Sequence, residues 1–357
     1  MTVVAPAGSR MRREIGQIPA AVERIVSSAD HELRDVADAI RREGPSWVMI
    51  AGRGTSDHAA VYAQYLIETH LGLPTGLVKP SVTTVYDAPV AWGGGLVLAI
   101  SQSGQSPDIV AVVRAARAAG AMTVAITNDS RSPLADAAAW HLRCHAGREL
   151  AVPATKTYVA ELAVVAALVA VIRPSSDLAE GLARLPEALR ETLARTREWL
   201  AGSGRAAVED LARADRALVV SRGYNLATAM EVALKLKETV GLFAEAYSTA
   251  DFAHGPLVLA GPDVPILAIR PDGPMGDLVD ATLAGVAARG GRVTVIGGLQ
   301  AALGHDGAAL ALPSILPEAL TPLLFVVPGQ LLVEATALRR GMSPDAPIGL
   351  GKVTRTR

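Results

Sequence analysis

Two stretches, VMIAGRGTSDHAA at residues 48–60 and LVVSRGYNLATA at 218–229, decide how the chain divides. Each begins with an apolar run of strand length, turns on an Arg-Gly pair and continues as a helical pattern, and Arg222-Gly223 follows Arg53-Gly54 by 169 positions. The offset recurs downstream. LAI at 98–100 returns as LAI at 267–269, and MTVAIT at 122–127 is answered by VTVIGG at 293–298. Three matched strands in one order mark an internal duplication.

In each half, continuous Val/Ile/Leu/Ala runs alternate with helical segments such as PDIVAVVRAARAAGA and MGDLVDATLAGVAARGG. Continuous rather than alternating hydrophobicity suits a strand covered on both faces, so the sheets are expected to be parallel with helices on each side. The fold class is therefore α/β, with two doubly wound parallel-sheet domains in tandem. Residues 1–42 read as N-terminal helices, 43–175 as the first domain, 176–213 as a charged helical connector and 214–340 as the second domain. A last helix near 316–340 is expected to be interrupted by Pro322 and Pro328, and 341–357 reads as an irregular tail.

The 357 residues, half of them apolar, suffice for two cores. Lys and Arg number 34 against 35 Asp and Glu, a net charge of −1, which supplies no basic field for nucleic acid and no polybasic membrane patch. The single cysteine, Cys144, excludes a disulfide framework and reads as a small buried hydrophobe. Arg10, Arg12 and Arg13 precede no apolar core of signal-peptide length, and the unbroken apolar run Leu162 to Ile172 is too short to span a bilayer. The expectation is a cytoplasmic protein with no membrane and no nucleic-acid partner.

Ligands of open parallel sheets bind at the carboxyl ends of the strands, and four segments fall there. AISQSGQSPDIV (99–110) runs from a strand into Ser101, Gln102, Ser103, Gly104, Gln105 and Ser106, with Pro107 set to start a helix. Hydroxyls, a glycine and the free N–H groups of a helix start suit a phosphate; an ordinary capped serine turn would read the same way. AGRGTSDHAA (51–60) begins like a dinucleotide fingerprint, but Asp57 stands at the third glycine, and Thr55 and Ser56 suit hydroxyl or phosphate contacts better. His58 there reads as packed or exposed rather than catalytic. In ELAVPATKTYVAEL (149–162), Thr155 reads as a helix N-cap and Lys156 as solvated. In MEVALKLKETVGLFAEAYSTADFAHGP (230–256), Glu231, Lys235 and Glu238 are spaced i, i+4, i+7 on an otherwise apolar helix. They form either a solvent-facing salt-bridge row or one wall of a cavity that moves protons. His254, alone in a Gly-Pro loop, is equally open.

Taken together, GRGTSDHAA, SQSGQSPDIV, VPATKTY, EVALKLKETVGLFAEAY, DFAHGPL and DAPIGLGKVT occur in one order over residues 10–357, and this chain resembles the sugar isomerase (SIS) domain family, in particular the isomerase portion of glucosamine-6-phosphate synthase. The resemblance implies two flavodoxin-like SIS domains and no cofactor or metal. It implies that Ser101, Gln102, Ser103 and Ser106, with Thr55 and Ser56, hold a sugar phosphate, and that Val152 touches the sugar through its backbone. It implies Glu238 as the base between C1 and C2, Lys235 as the cation beside it with Glu231 in support, and Lys352 at the ketose carbonyl on a closing tail. His254 would open the sugar ring from the neighbouring subunit of a homodimer.

The chain departs from the synthase pattern in two ways. It begins Met1-Thr2 without the glutaminase nucleophile, and position 154 is alanine where the synthase has serine. The expectation is thus an isomerising deaminase that converts glucosamine 6-phosphate and water to fructose 6-phosphate and ammonia. The equilibrium without an ammonia channel favours ammonia release. A glutaminase-less isomerase or aminotransferase-like enzyme acting on another amino sugar phosphate is the alternative. A non-catalytic sugar-phosphate sensor would need a DNA-binding module that residues 1–42 are too short to form. A nicotinamide oxidoreductase lacks its third glycine, and His141 and His145 find no third partner for a metal.

Overall fold

The computed structural model describes residues 8–27, 31–174, 176–298, 308–312 and 316–354, so the ends of the expected N-terminal helices and C-terminal tail lie outside the described residues. The first half runs α1 (Arg10–Ile15), α2 (Ile18–Ser27), α3 (His31–Glu43), β1 (Val48–Ala51), α4 (Thr55–Leu71), β2 (Thr75–Leu77), α5 (Ser81–Thr84), β3 (Leu96–Ser101), α6 (Pro107–Ala118), β4 (Met122–Thr127), α7 (Pro133–Ala137), β5 (Trp140–Arg143) and α8 (Lys156–Ile172). Helices α9 (Ser176–Ala201) and α10 (Arg205–Arg213) lead into β6 (Arg216–Ser221), α11 (Leu226–Lys235), β7 (Phe243–Ser248), α12 (Thr249–Ala253), β8 (Ile266–Arg270), α13 (Pro274–Ala287), β9 (Val293–Gly297), β10 (Ala309–Ala311) and α14 (Thr321–Arg339).

Two five-stranded sheets result, ordered β2-β1-β3-β4-β5 and β7-β6-β8-β9-β10. Every strand pairing is parallel; β3 aligns Leu96 with Met122 of β4, and β8 aligns Ile266 with Val293 of β9. The two orders superimpose strand for strand, which is the duplication in three dimensions. The β3 residues Leu96 to Ser101 are all buried, as continuous hydrophobicity requires of a central parallel strand.

Each sheet has an outer and an inner layer. Ala51, Val97 and Ala99 point outward to Val112 and Val113 of α6, and Leu218, Val220 and Ala268 point outward to Phe252 and Val279. The opposite faces share one core, in which Val48, Ile50 and Leu98 of the first sheet and Val219, Leu267 and Ile269 of the second enclose apolar side chains of α4, α8, α11 and α14. Helix α8 is apolar nearly all round and buried nearly all round, the expected fate of such a helix in a shared layer. The α4–α11 contact, between helices that follow equivalent strands, brings the two halves' site residues together.

Helix α14 corrects one expectation, because it runs unbroken. Pro322 occupies its first turn, where no N–H is needed, and Pro328 lies inside the helix. A Cβ at the next residue, Gly329, would strike Val232 of α11, so close packing holds this stretch helical. The segment Glu318–Arg339 is long and apolar enough to cross a membrane by length and composition, and 94% of that window is buried inside the fold. Cys144 is fully buried just past β5, and burial pushes its thiol pKa well up.

Candidate active site

The cleft lies at the carboxyl ends of β1 and β3, where the first domain meets α11 of the second. Its volume of ≈ 360 Å³ falls within the usual range of small-molecule sites.

One end is built by the serine loop. β3 ends at Ser101, Gly104 takes φ 62°, and the chain enters α6 at Pro107. Ser101 Oγ accepts the Gly104 N–H at 3.2 Å and Ser103 Oγ accepts the Gln105 N–H at 3.3 Å, while the Gly104 carbonyl accepts the Leu134 N–H. Ser106 stands at the N-cap of α6 without a side-chain capping bond, so its hydroxyl is left for the cleft. The first turn of α6 adds the positive end of its dipole. Beside it is Arg53, 46% exposed and paired with the buried Asp108 at 2.7 Å. Arg53 was not singled out from sequence.

The other end carries the charged row. Glu231 is 0% exposed, Lys235 1% and Glu238 27%, so the row walls a cavity rather than facing solvent. Lys235 Nζ lies 2.5 Å from Glu238 Oε2 and 3.4 Å from Glu231 Oε1. Burial pushes the Lys235 pKa down, but the flanking carboxylates Glu231 and Glu238 more than offset it, so the ammonium is held above the ordinary lysine value. Helix α11 ends at Lys235 and passes into a π-helical turn, Leu236–Val240, closed by Gly241 at φ 66°. Such turns concentrate at functional sites, and this one carries Glu238.

The first domain supports this row. Thr55 Oγ1 donates to Glu231 at 3.1 Å and accepts from Lys235 at 3.1 Å, and His58 Nδ1 lies 2.8 Å from Glu231. Ser56 Oγ donates to Glu161 at 2.9 Å. The hydroxyls of Thr55 and Ser56, read above as phosphate contacts, are thus committed to the charged groups. His58 is packed, as read.

The third wall is the loop before α8 with the tail. Val152 lines the cleft, but its N–H donates to the Asp345 carbonyl. Asp345 in turn accepts the Arg10 and Met11 N–H groups, tying the tail to α1. Lys352 Nζ pairs with the buried Glu149 at 2.8 Å. Burial raises the Glu149 pKa, and Lys352 with the Thr155 and Thr157 donors more than offsets this, so its carboxyl is held below the ordinary value. One expectation holds in position only and one fails. Thr155 stands at the N-cap, yet its N–H and hydroxyl donate to Glu149 rather than capping α8. Lys156 is 2% exposed, its ammonium bonded to Gln17 Oε1 and the Arg148 carbonyl, because the loop has backbone acceptors to satisfy.

Glu161 of α8 also lines the cleft and is fully buried. Burial, with Glu231 and Glu149 adding to it and the Ser56 hydrogen bond opposing it, pushes its carboxyl up to about 8. Sequence reading passed over it, although one charge in the run TYVAELAVVAALVAVI has no solvent face to occupy. The cleft therefore gathers Ser101, Gln102, Ser103, Ser106, Thr55, Ser56, Val152, Lys235, Glu238 and Lys352, with Glu231 directly behind Lys235. His254, which ends α12, is exposed and outside it. Among the described residues no three or more His, Cys, Asp or Glu side chains gather to hold a metal ion.

A serine loop at a helix start and a buried carboxylate–ammonium pair thus share one cleft at the carboxyl ends of parallel strands. The SIS domain model matches residues 46–171 and 210–302, and the chain belongs to the SIS domain family. It is 34% identical to a glutamine–fructose-6-phosphate aminotransferase (isomerizing) of Zymomonas mobilis, covering 96% of this chain and 58% of that protein, so it spans little more than half the relative's length. A Silicibacter pomeroyi protein taken to be a phosphosugar isomerase is 37% identical with a TM-score of 0.82, over 94% of this chain and all of that one. The C-terminal domain of a glucosamine–fructose-6-phosphate aminotransferase from Francisella tularensis is 26% identical with a TM-score of 0.83, over 97% of this chain and all of that one.

Proposed function

We propose that the chain is a cytoplasmic isomerising deaminase of an amino sugar phosphate, converting glucosamine 6-phosphate and water to fructose 6-phosphate and ammonia. The observation that carries this reading is the Glu238–Lys235 pair, 2.5 Å apart in a cleft that ends in an anion loop. A base and a fixed cation are what proton transfer beside a carbonyl needs.

The phosphate sits on Ser101, Gln102, Ser103, Ser106 and the first turn of α6. His254 reaches the cleft of a second copy in a homodimer and moves the proton that opens the pyranose ring. Glu238 then removes the C2 proton of the open-chain aldehyde, the electrons pass to the carbonyl oxygen, and Lys235 stabilises the charge that develops there. Return of the proton at C1 leaves an imine at C2. Water adds to that carbon and ammonia leaves, giving the ketose, with Lys352 beside its carbonyl. Thr55 and Glu231 hold Lys235 in place throughout.

The test is ammonia release from glucosamine 6-phosphate by the purified protein, with Glu238→Gln beside it. Release that vanishes in the variant supports the reading; no release from any aminosugar phosphate defeats it. A second reading, aldose–ketose isomerisation of a sugar phosphate without an amine, is favoured by the 37% identity to a protein named as a phosphosugar isomerase. It would appear as ketose formation from an aldose phosphate with no ammonia.

A further inference from the structure

We infer that Glu161 is the specificity-determining residue of the cleft, the carboxyl that pairs with a cationic amino group on the bound sugar phosphate and so distinguishes an amino sugar from its hydroxyl analogue. The inference rests on the reading of the cleft as an amino-sugar-phosphate site and names the residue that recognises the amine.

Three observations carry it. Glu161 is fully buried at the cleft wall; its Oε1 accepts from Ser56 at 2.9 Å, and its Oε2 has no hydrogen-bond partner among the described residues. Native interiors rarely leave such an atom unsatisfied, and this one belongs to a residue of the cleft lining. Second, the other carboxylates around the cleft already have cations. Glu231 and Glu238 share Lys235, Glu149 has Lys352 and Asp108 has Arg53, whereas no ion pair forms to Glu161 among the described residues. Third, the cleft is polarised, with serine hydroxyls and the Arg53 guanidinium at one end and, around the other, the four carboxyls of Glu149, Glu161, Glu231 and Glu238 against the two ammonium groups of Lys235 and Lys352.

The groups that face Glu161 are Ser56 from α4, Glu231 from α11, Glu149 from the loop before α8, Lys352 from the tail, Tyr158 from its own helix and Cys144 beyond β5. Lys352 alone among them carries positive charge, and Glu149 already holds it. A carboxyl so placed keeps its proton near neutral pH, because an unpaired buried carboxylate is costly. A ligand ammonium supplies the missing partner: –COOH and –NH₃⁺ become –COO⁻···⁺H₃N–, and one proton passes to solvent. A hydroxyl in the same position makes only a neutral hydrogen bond and releases none.

Two alcohols that cannot isomerise test this: 2-amino-2-deoxyglucitol 6-phosphate and glucitol 6-phosphate. Each is titrated calorimetrically into the full chain and into Glu161→Gln at pH 7, in buffers of different ionisation heat. The amino compound should bind the native protein at least about tenfold tighter than glucitol 6-phosphate. It should also release close to one more proton, roughly as expected for a group that titrates one unit higher. Glu161→Gln should erase both differences while still binding glucitol 6-phosphate, which shows that its site is folded. Equal affinity and equal proton release for the two compounds in the native protein would overturn the inference and leave the sugar-phosphate reading standing, as would a preference that survives in Glu161→Gln. Binding of neither compound to the native protein would overturn both.

Discussion

Replacing Lys235 by Met tests whether the charged row belongs to the interior. Met fills much the same volume, and Lys235 is 1% exposed, so little packing is lost. What is lost is the cation between Glu231, which has no exposure, and Glu238. Breaking a buried pair by removing one partner costs about 3–5 kcal/mol. Glu231 keeps its contacts to Thr55 at 3.1 Å and His58 at 2.8 Å, and Glu238 can hydrate through its 27% exposure, which puts the expected loss at the lower end, about 3 kcal/mol. In Glu231→Gln/Lys235→Met the buried charge leaves with its partner, and stability should return to within about 1 kcal/mol of the native protein. Denaturant unfolding followed by circular dichroism and tryptophan fluorescence gives all the corners of this cycle. A loss below about 0.5 kcal/mol in Lys235→Met, the size of a surface pair, would refute the placement of the row in the interior.

Gly104→Ala should abolish sugar-phosphate protection against thermal unfolding, because an alanine at φ 62° costs about 1–2 kcal/mol and its Cβ would overlap Ser132, displacing the serine loop. Lys352→Ala should leave Glu149 buried without its cation and lower stability by about 2 kcal/mol, less than a full buried pair because the Thr155 and Thr157 donors remain. Since the Glu149 carboxyl is held below its ordinary value, the stability it contributes is present above that value and lost as pH falls through the native one, so the gap between native protein and Lys352→Ala should narrow in acid titrations. For Glu161 the sign reverses: its native value of about 8 lies above the ordinary 4.5, so the folded state holds the extra proton between them. Native stability measured against Glu161→Gln should therefore be greatest below pH 4.5 and fall toward pH 8, by at most about 1.4 kcal/mol per unit, and a flat difference would count against the assignment.

Much of the architecture was legible because it depends on residue type and period. Continuous apolar runs such as LVLAIS name strands covered on both faces, and the recurrence of Arg-Gly and LAI at one offset names the duplication. The place of the serine loop was legible because hydroxyls and glycine between an apolar strand and a helix-starting proline mark the carboxyl end of a strand, where the structure puts them. The partners of the polar groups were not legible, because they come from distant parts of the chain. Thr55 and Glu231 lie in different domains, as do Ser9 and Glu334, yet each pair shares a hydrogen bond. The burial of Lys156 depends on Gln17 and on a loop carbonyl, and neither leaves a local mark. Pro328 reads as a break by its own chemistry, but the packing of α14 against α11 overrides it.

The same comparison shows where the two repeats diverge at equivalent positions. The position equivalent to the serine loop, after β8, is Arg270-Pro271-Asp272-Gly273 ahead of Pro274, so the helix start is retained and the hydroxyls are gone. Arg270 is 3% exposed, and its guanidinium is spent on Asp280 at 2.7 Å and on the Pro271 carbonyl at 3.0 Å. Asp272 fills the space beside Gly298 with a carboxylate, which repels a phosphate rather than receiving one. To the cleft the second repeat contributes its first helix instead. Helix α11 packs against its counterpart α4 and presents Lys235, between Glu231 and Glu238, to the cleft. The serine loop and the charged row thus come from different repeats, and the cleft forms where the two halves meet.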